Sequence, residues 1–164
     1  MMDKILPCLW FDGEAEEAAA FYVSLLPDSG IGAVNRSPAD YPSGKAGDVL
    51  TVEFTLAGRR YVALNGGPEF AFTEALSLQI HCENQGEVDR LWDSLLESGG
   101  EALQCGWIKD RWGLSWQITP RELPEMIASP DREAARRAME SMMTMVKLDI
   151  AELRQAFAGE AASA

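Results

Sequence analysis

Alternating apolar and polar residues mark the clearest strand of the chain. In Leu114–Thr119 every second residue is large and apolar, and successive residues of a strand point to opposite faces. The apolar face consists of Leu114, Trp116 and Ile118, and the polar face consists of Ser115, Gln117 and Thr119. With a first arm at about Gln104–Lys109 and a turn at 110–113, we predict a β-hairpin that ends at Pro120. Its apolar face should pack against helices, and its polar face should line a more hydrated space.

A strand followed by an amphipathic helix occurs twice. The first unit has a strand at Lys4–Phe11 and a helix that begins at Asp12 or Gly13. The second unit has a strand at Leu76–Cys82 and a helix that Asn84 caps. Further strands of the first unit are predicted at Ile31–Arg36, Val49–Leu56 and Arg60–Leu64. Two similar strand–helix–strand units in succession predict a duplicated α+β module.

A helical extension follows the hairpin, over about residues 121–159. Ser129-Pro130-Asp131 is a typical helix start with proline at the first helical position, and this helix should run to about Met145. A last helix is predicted to begin at Asp149 and to end at Gly159. Because these helices carry many methionines and other apolar residues, we expect them to support a homodimer.

Composition and charge exclude several classes of partner. The chain has 164 residues and a net charge of −12, which disfavours binding to nucleic acid or to an anionic membrane. No apolar segment approaches the ~20 residues of a transmembrane helix. The three cysteines show no C-x-x-C spacing and read as free thiols. Together with an N-terminus that lacks a signal-peptide pattern, they predict a cytoplasmic protein.

Three segments resemble a known family. They are W-F-D-G-E-A-E-E-A-A-A-F-Y at Trp10–Tyr22, C-G-W-I-K-D-R-W-G-L-S-W-Q-I-T-P at Cys105–Pro120, and the stretch Ser129–Leu153. All three are similar to the PhnB-like branch of the vicinal oxygen chelate superfamily (glyoxalases, bleomycin-resistance proteins and extradiol dioxygenases), a branch often labelled 3-demethylubiquinone-9 3-methyltransferase. The resemblance implies paired βαβββ modules that enclose a cavity, at about residues 3–68 and 75–120, and it implies a homodimer.

The metal-using members of this superfamily bind their ion with four His, Gln or Glu side chains on cavity-facing strands. The resemblance carries these four positions to Pro7, to Asn65 or Ala63, to Ser77 and to Gln117. The set contains no carboxylate and no imidazole, and neutral amides and hydroxyls bind Zn²⁺, Fe²⁺ or Ni²⁺ poorly. We therefore expect no catalytic metal and no other cofactor.

The candidate pocket residues are polar or aromatic. They are Asn65, Ser77, Gln79, His81, Trp107 and Gln117. His81, the single histidine, could act as a general base or simply be a satisfied histidine near a strand end. Trp107 could stack on a flat ligand or pack in the core, and Gln117 could bind a ligand or tie strands together. Cys105 could be a nucleophile or an inert thiol.

Two functions follow from these candidates. The first is the binding of a small organic molecule without a metal. The alternative is an enzyme of lyase, isomerase or dioxygenase type that uses an atypical metal site or His81 as acid–base catalyst. A dimeric protein without any ligand is the third possibility. Methyl transfer is disfavoured, because the glycines of Asn65-Gly66-Gly67-Pro68 are not followed by a helical pattern.

Overall fold

The computed structural model describes residues 3–161, which divide into two compact units. The first unit extends to Phe72, and the second begins at Thr73. Each unit contains a four-stranded sheet, and helices pack on both.

The first unit has the order strand, helix, three strands. Its elements are β1 (Cys8–Phe11), α1 (Ala15–Leu25), β2 (Gly30–Arg36), β3 (Val49–Leu56) and β4 (Arg59–Asn65). The sheet order is β1-β4-β3-β2, in which β1 and β4 are parallel and the other pairs are antiparallel. The alanines of α1 allow the helix to approach the sheet closely, and Tyr22 of α1 packs against Phe54 of β3 in a fully buried core.

The second unit repeats this order and then adds helices. Its elements are β5 (Ser77–Cys82), α2 (Gln85–Glu97), β6 (Glu101–Ala102), β7 (Trp107–Lys109), β8 (Ser115–Pro120), α3 (Glu122–Ile127), α4 (Arg132–Met143) and α5 (Ile150–Ala158). The sheet order is β5-β8-β7-β6, again with the first and last strands parallel. The predicted α+β fold of two βαβββ modules with C-terminal helices is therefore confirmed.

The apolar face of the second sheet packs on α2, as the alternation in the hairpin predicts. The buried side chains on this face and on α2 are Ile108, Leu114, Trp116, Ile118, Val88, Leu91, Trp92 and Leu95. Asn84 caps α2 as predicted: its Oδ1 accepts a hydrogen bond of 3.0 Å from the backbone N–H of Glu87. Gly99 has φ +104° just beyond the helix end, where a left-handed residue closes the last turn.

The first arm of the hairpin is shorter than predicted. It begins at Trp107 rather than Gln104, because Cys105 and Gly106 have φ values of +60° and +79° and turn the chain just before the strand. The N–H of Trp107 donates back to the carbonyl of Gln104 in this turn, at 3.1 Å. An extended strand cannot accommodate two successive left-handed residues.

The N-terminal elements also begin later than predicted. β1 starts at Cys8, after Pro7, and α1 starts at Ala15 rather than at Asp12 or Gly13. Gly13 has φ +82°, which is incompatible with a helical residue. The acceptor that satisfies the first turn of α1 comes from β4, a long-range contact that local sequence does not show.

The C-terminal helices form a cluster of their own and join the hairpin. Their buried core consists of Leu123, Met126, Ala138, Met145, Leu148 and Leu153. Asp131 and Asp149 cap α4 and α5 with side-chain bonds of 3.0 Å each. The carbonyls of Met145 and Val146 accept bonds of 2.8 and 2.7 Å from the N–H groups of Cys105 and Gly106. No helix within residues 3–161 has the length and apolar character of a membrane span.

Candidate functional site

Five of the six candidate pocket residues lie on one face of the second sheet. The register pairs Ser77 with Ser115, Gln79 with Gln117, and His81 with Thr119. On the other side of β8, Trp107 pairs with Gln117. Because side chains of paired residues point to the same side, these residues share the polar face opposite α2.

Four side chains on this face form a hydrogen-bonded strip. The amide Nε2 of Gln117 donates to Ser77 Oγ at 2.8 Å. The Nε2 of Gln79 lies 3.4 Å from both Gln117 Oε1 and Thr119 Oγ1. Gln117 therefore ties two strands together and also presents its amide to the space above the sheet, so both of its proposed roles are compatible with this geometry.

A cavity of about 440 Å³ lies over part of the strip. One side is formed by Gln79, Cys105, Trp107, Gln117 and Thr119. The other side is formed by Leu123, Pro124, Ile127, Ala128 and Met142 of the C-terminal helices and the segment after α3. The cavity therefore has an amide- and hydroxyl-bearing wall facing an apolar wall, a composition typical of small-molecule sites.

Sequence reasoning missed the helical wall. Leu123 and Ile127 are four residues apart, the spacing that puts two side chains on one helix face, so this short stripe was visible. The contribution of Met142 depends on how α4 packs against α3, and no local pattern shows that packing. Thr119 belongs to the polar face predicted for the hairpin, yet the candidate set omits it.

Two candidates on the polar face do not line the cavity. Ser77 contributes through its bond to Gln117, which holds that amide in place. His81 is exposed, and among residues 3–161 no carboxylate makes a hydrogen bond to its imidazole ring. A histidine that acts as a general base is commonly oriented by such a partner.

Asn65, the sixth candidate, lies in the first unit and has a structural role there. Its Oδ1 accepts a bond of 2.9 Å from the N–H of Ala15, the first residue of α1. Its Nδ2 donates to the carbonyl of Val49 at 3.0 Å, and the residue is only 8% exposed. One side chain thus links β4 to the start of α1 and to the start of β3.

The positions that would carry a metal do not fit a divalent cation. Pro7 has no donor side chain, the amide of Asn65 is used within the first unit, and Ser77 and Gln117 bond to each other. Residues 3–161 contain no group of three or more His, Cys, Asp or Glu side chains arranged to hold an ion. Neutral oxygen donors without a carboxylate or imidazole give Zn²⁺ or Fe²⁺ too little binding energy.

The three thiols are free, and they differ in environment. Burial is the main reason that the pKa of Cys82 rises to about 12, so this thiol is protonated at neutral pH. Burial also raises the pKa of Cys8. Cys105 is half-buried and is the one of the three that lines the cavity.

Comparisons with known proteins agree with this architecture. Residues 3–119 match the model of the family described as 3-demethylubiquinone-9 3-methyltransferase. The PhnB protein from Bacillus cereus, whose structure is solved, is 35% identical, covers 70% of this chain and 97% of its own, and has a TM-score of 0.62. Protein PA1353 from Pseudomonas aeruginosa is 21% identical, covers 70% of this chain and 95% of its own, and shares the fold with a TM-score of 0.57.

No protein of curated function matches the chain significantly. The family match ends at residue 119, so the resemblance of Ser129–Leu153 to the same family stays a prediction. The match does include both βαβββ modules and nearly all of the Trp-rich hairpin. The chain therefore belongs to the 3-demethylubiquinone-9 3-methyltransferase family, the PhnB-like branch of the vicinal oxygen chelate superfamily.

Proposed function

We propose that this protein binds a small organic molecule, without a catalytic metal, in the cavity over β5, β7 and β8. The observation that carries the proposal is the cavity itself, in which amide, hydroxyl and indole groups face an apolar helical wall. Its volume of about 440 Å³ lies within the range of small-molecule sites. The positions that the family resemblance assigns to metal ligands hold no carboxylate and no imidazole, and this supports binding without an ion.

A thermal-shift screen with a broad metabolite library, including charged and aliphatic compounds, tests this proposal. A ligand at 100 times its Kd should raise the free energy of unfolding by about 2.7 kcal/mol. Ala128→Trp places an indole in the cavity and should abolish the shift. The matched control is Ala158→Trp, at an exposed alanine on α5 that does not line the cavity. A library without any stabilising compound, or a shift that survives Ala128→Trp, contradicts the proposal.

Metal analysis is the second test of the same proposal. Protein purified without a histidine tag should contain no stoichiometric transition metal. One equivalent of zinc, nickel or iron that persists through dialysis would favour a metal-dependent lyase, isomerase or dioxygenase instead.

The enzymatic alternatives have less support from the described residues. The exposed position of His81, outside the cavity lining, gives an acid–base mechanism no oriented base. Asn65-Gly66-Gly67-Pro68 ends β4 and leads to β5 without an intervening helix, whereas a phosphate- or methyl-donor-binding glycine loop opens a helix. We therefore treat methyl transfer as part of the family's name and not as the proposed activity.

A homodimer in a reducing cytoplasm completes the proposal. Three exposed apolar side chains, Met139, Met143 and Val146, lie on or near the end of α4 and support self-association. Three cysteines without a disulfide support the location. Light scattering coupled to size exclusion should give twice the 18.0 kDa chain mass, and Met143→Asp should shift the protein to monomer. A wild-type monomer at micromolar concentration contradicts the dimer.

A further inference from the structure

The cavity has two parts of different origin. The floor, Gln79, Trp107, Gln117 and Thr119, lies within the segment that matches the family. The roof, Leu123, Pro124, Ile127, Ala128 and Met142, lies entirely beyond residue 119, where that match ends. The floor therefore belongs to the shared βαβββ module, and the roof belongs to the C-terminal helices.

We infer that floor and roof together restrict this cavity to uncharged, planar ring compounds that carry one polar edge with both a hydrogen-bond donor and an acceptor. The inference rests on the proposed function, since it names the class of ligand for the same site. Primary carboxamides and lactams of aromatic rings are the simplest members of this class.

The restriction on charge follows from the lining and from its neighbours. Within residues 3–161, no Asp, Glu, Lys, Arg or His side chain lines the cavity. Several charged residues next to the roof have other partners, and Glu125 is exposed to solvent. Glu122 pairs with Arg154, Arg121 pairs with Glu83, and Arg132 donates to the carbonyls of Ile127 and Ser129. An ion in the cavity would lose part of its hydration without gaining a counter-charge, which costs free energy.

The preference for a flat ring follows from Trp107. Its half-buried indole lines the floor and offers an aromatic surface on which a planar molecule can stack. The roof contributes Met142, whose flexible thioether adapts to an aromatic ring better than a branched side chain does.

The polar edge follows from the hydrogen-bonded strip. The Nε2 of Gln79 is directed to Gln117 and Thr119, whereas its Oε1 accepts no hydrogen bond from any of residues 3–161. Thr119 Oγ1 accepts from Gln79 and retains its own proton to donate. A carboxamide can donate to the first group and accept from the second.

Four probes test the class by calorimetric titration of the full chain. They are 2-naphthamide, 2-naphthoate, protonated 2-naphthylmethylamine, and the saturated decahydro analogue of the amide. The amide should bind at least about tenfold more tightly than each of the other three. Gln79→Leu should weaken amide binding about tenfold and leave the two ions unaffected.

A charge placed in the roof should change the preference. Met142→Lys should weaken the amide and tighten 2-naphthoate at least about tenfold, because the ammonium group supplies the missing counter-charge. The control is Ala158→Lys, at the exposed alanine on α5 outside the cavity lining, which should leave all four Kd values unchanged. Circular dichroism and thermal melting establish that each variant is folded. The comparison of the four probes on the wild-type chain does not depend on any variant.

The possible results separate this inference from the proposed function. The inferred ligand class is wrong if either ion, or the decahydro analogue, binds as tightly as 2-naphthamide. It is also wrong if 2-naphthamide does not bind. If compounds in the broad library still stabilise the protein through the cavity, the proposed function stands and only the class is wrong. If no compound of any kind binds there, both fail.

Discussion

The carboxyl group of Asp110 binds the indole of Trp116 across the turn of the hairpin, with 2.9 Å between Oδ2 and Nε1. The other carboxyl oxygen of Asp110 accepts from the N–H groups of Trp112 and Leu114, at 2.9 and 3.1 Å. Asp110 is only 4% exposed and Trp116 is fully buried. One buried side chain therefore holds the turn, the start of β8 and the largest core residue of the second sheet in fixed relation.

Replacing Asp110 should destabilise the protein strongly. Asp110→Ala leaves three donors without their acceptor in a buried site, and we expect a loss of about 3 kcal/mol or more in the free energy of unfolding. Urea denaturation followed by tryptophan fluorescence measures this loss. The control is Asp12→Ala, at an exposed position, which should change the value by less than about 0.5 kcal/mol. A similar small effect of Asp110→Ala would contradict the structural role.

Replacing Asn65 should affect folding rather than ligand binding. Asn65→Ala removes the bonds to Ala15 N–H and to the Val49 carbonyl, and should cost about 1–2 kcal/mol of unfolding free energy. Asn35→Ala, which removes one exposed bond to Thr51, is the matched control and should cost much less. If Asn65→Ala weakens binding of a ligand found in the thermal-shift screen while leaving unfolding unchanged, Asn65 contacts the ligand and the structural role is wrong.

Gly106 should tolerate a methyl group less well than Gly13. Both have φ near +80°, but a Cβ on Gly106 would lie 2.8 Å from the Leu148 side chain, and a Cβ on Gly13 would meet no atom within 4 Å. Gly13→Ala should therefore cost about 1 kcal/mol for the left-handed backbone alone. Gly106→Ala should cost about 3 kcal/mol, because overpacking adds to the same backbone term. Equal costs in chemical denaturation would show that Leu148, between α4 and α5, does not pack closely against Gly106.

The ion pair between Glu122 of α3 and Arg154 of α5 should make stability depend on acid pH. Hydrogen bonds from Arg154 are the main reason that the pKa of Glu122 is lowered. A lowered pKa stabilises the folded state above the ordinary glutamate value of about 4.3, and this contribution is lost as the pH falls through the lowered pKa.

The measurement compares wild type with Glu122→Gln by urea denaturation from pH 7 to pH 3. The difference in unfolding free energy should be constant above about pH 5.5, shrink below about pH 4.3, and fall with added salt. In the Arg154→Met background, which already lacks the partner of Glu122, Glu122→Gln should show a much smaller pH-dependent difference. A Glu122→Gln difference that grows on acidification would reverse the predicted sign.

Local patterns predicted the modules well because their signals are short-range. The alternation in β8 placed Trp116 and Ile118 in the core, and Asn84 marked the start of α2. What the patterns missed depends on contacts between distant residues. The start of α1 needs Asn65, fifty positions away, and the cavity needs Met142 of α4 above Trp107. The family resemblance implied the fold, but it did not show that α3 and α4 would pack over the polar face of the second sheet.

The two backbone bonds that Cys105 and Gly106 donate have a consequence for biosynthesis. Their acceptors, Met145 and Val146, are translated long after the hairpin. Domains generally fold as units in the order of their synthesis, so the first sheet can form on the ribosome. At that stage the N–H groups of Cys105 and Gly106 do not yet have their acceptors. In a nascent chain the cavity over β5, β7 and β8 is consequently completed only after α3 and α4 have emerged from the ribosome.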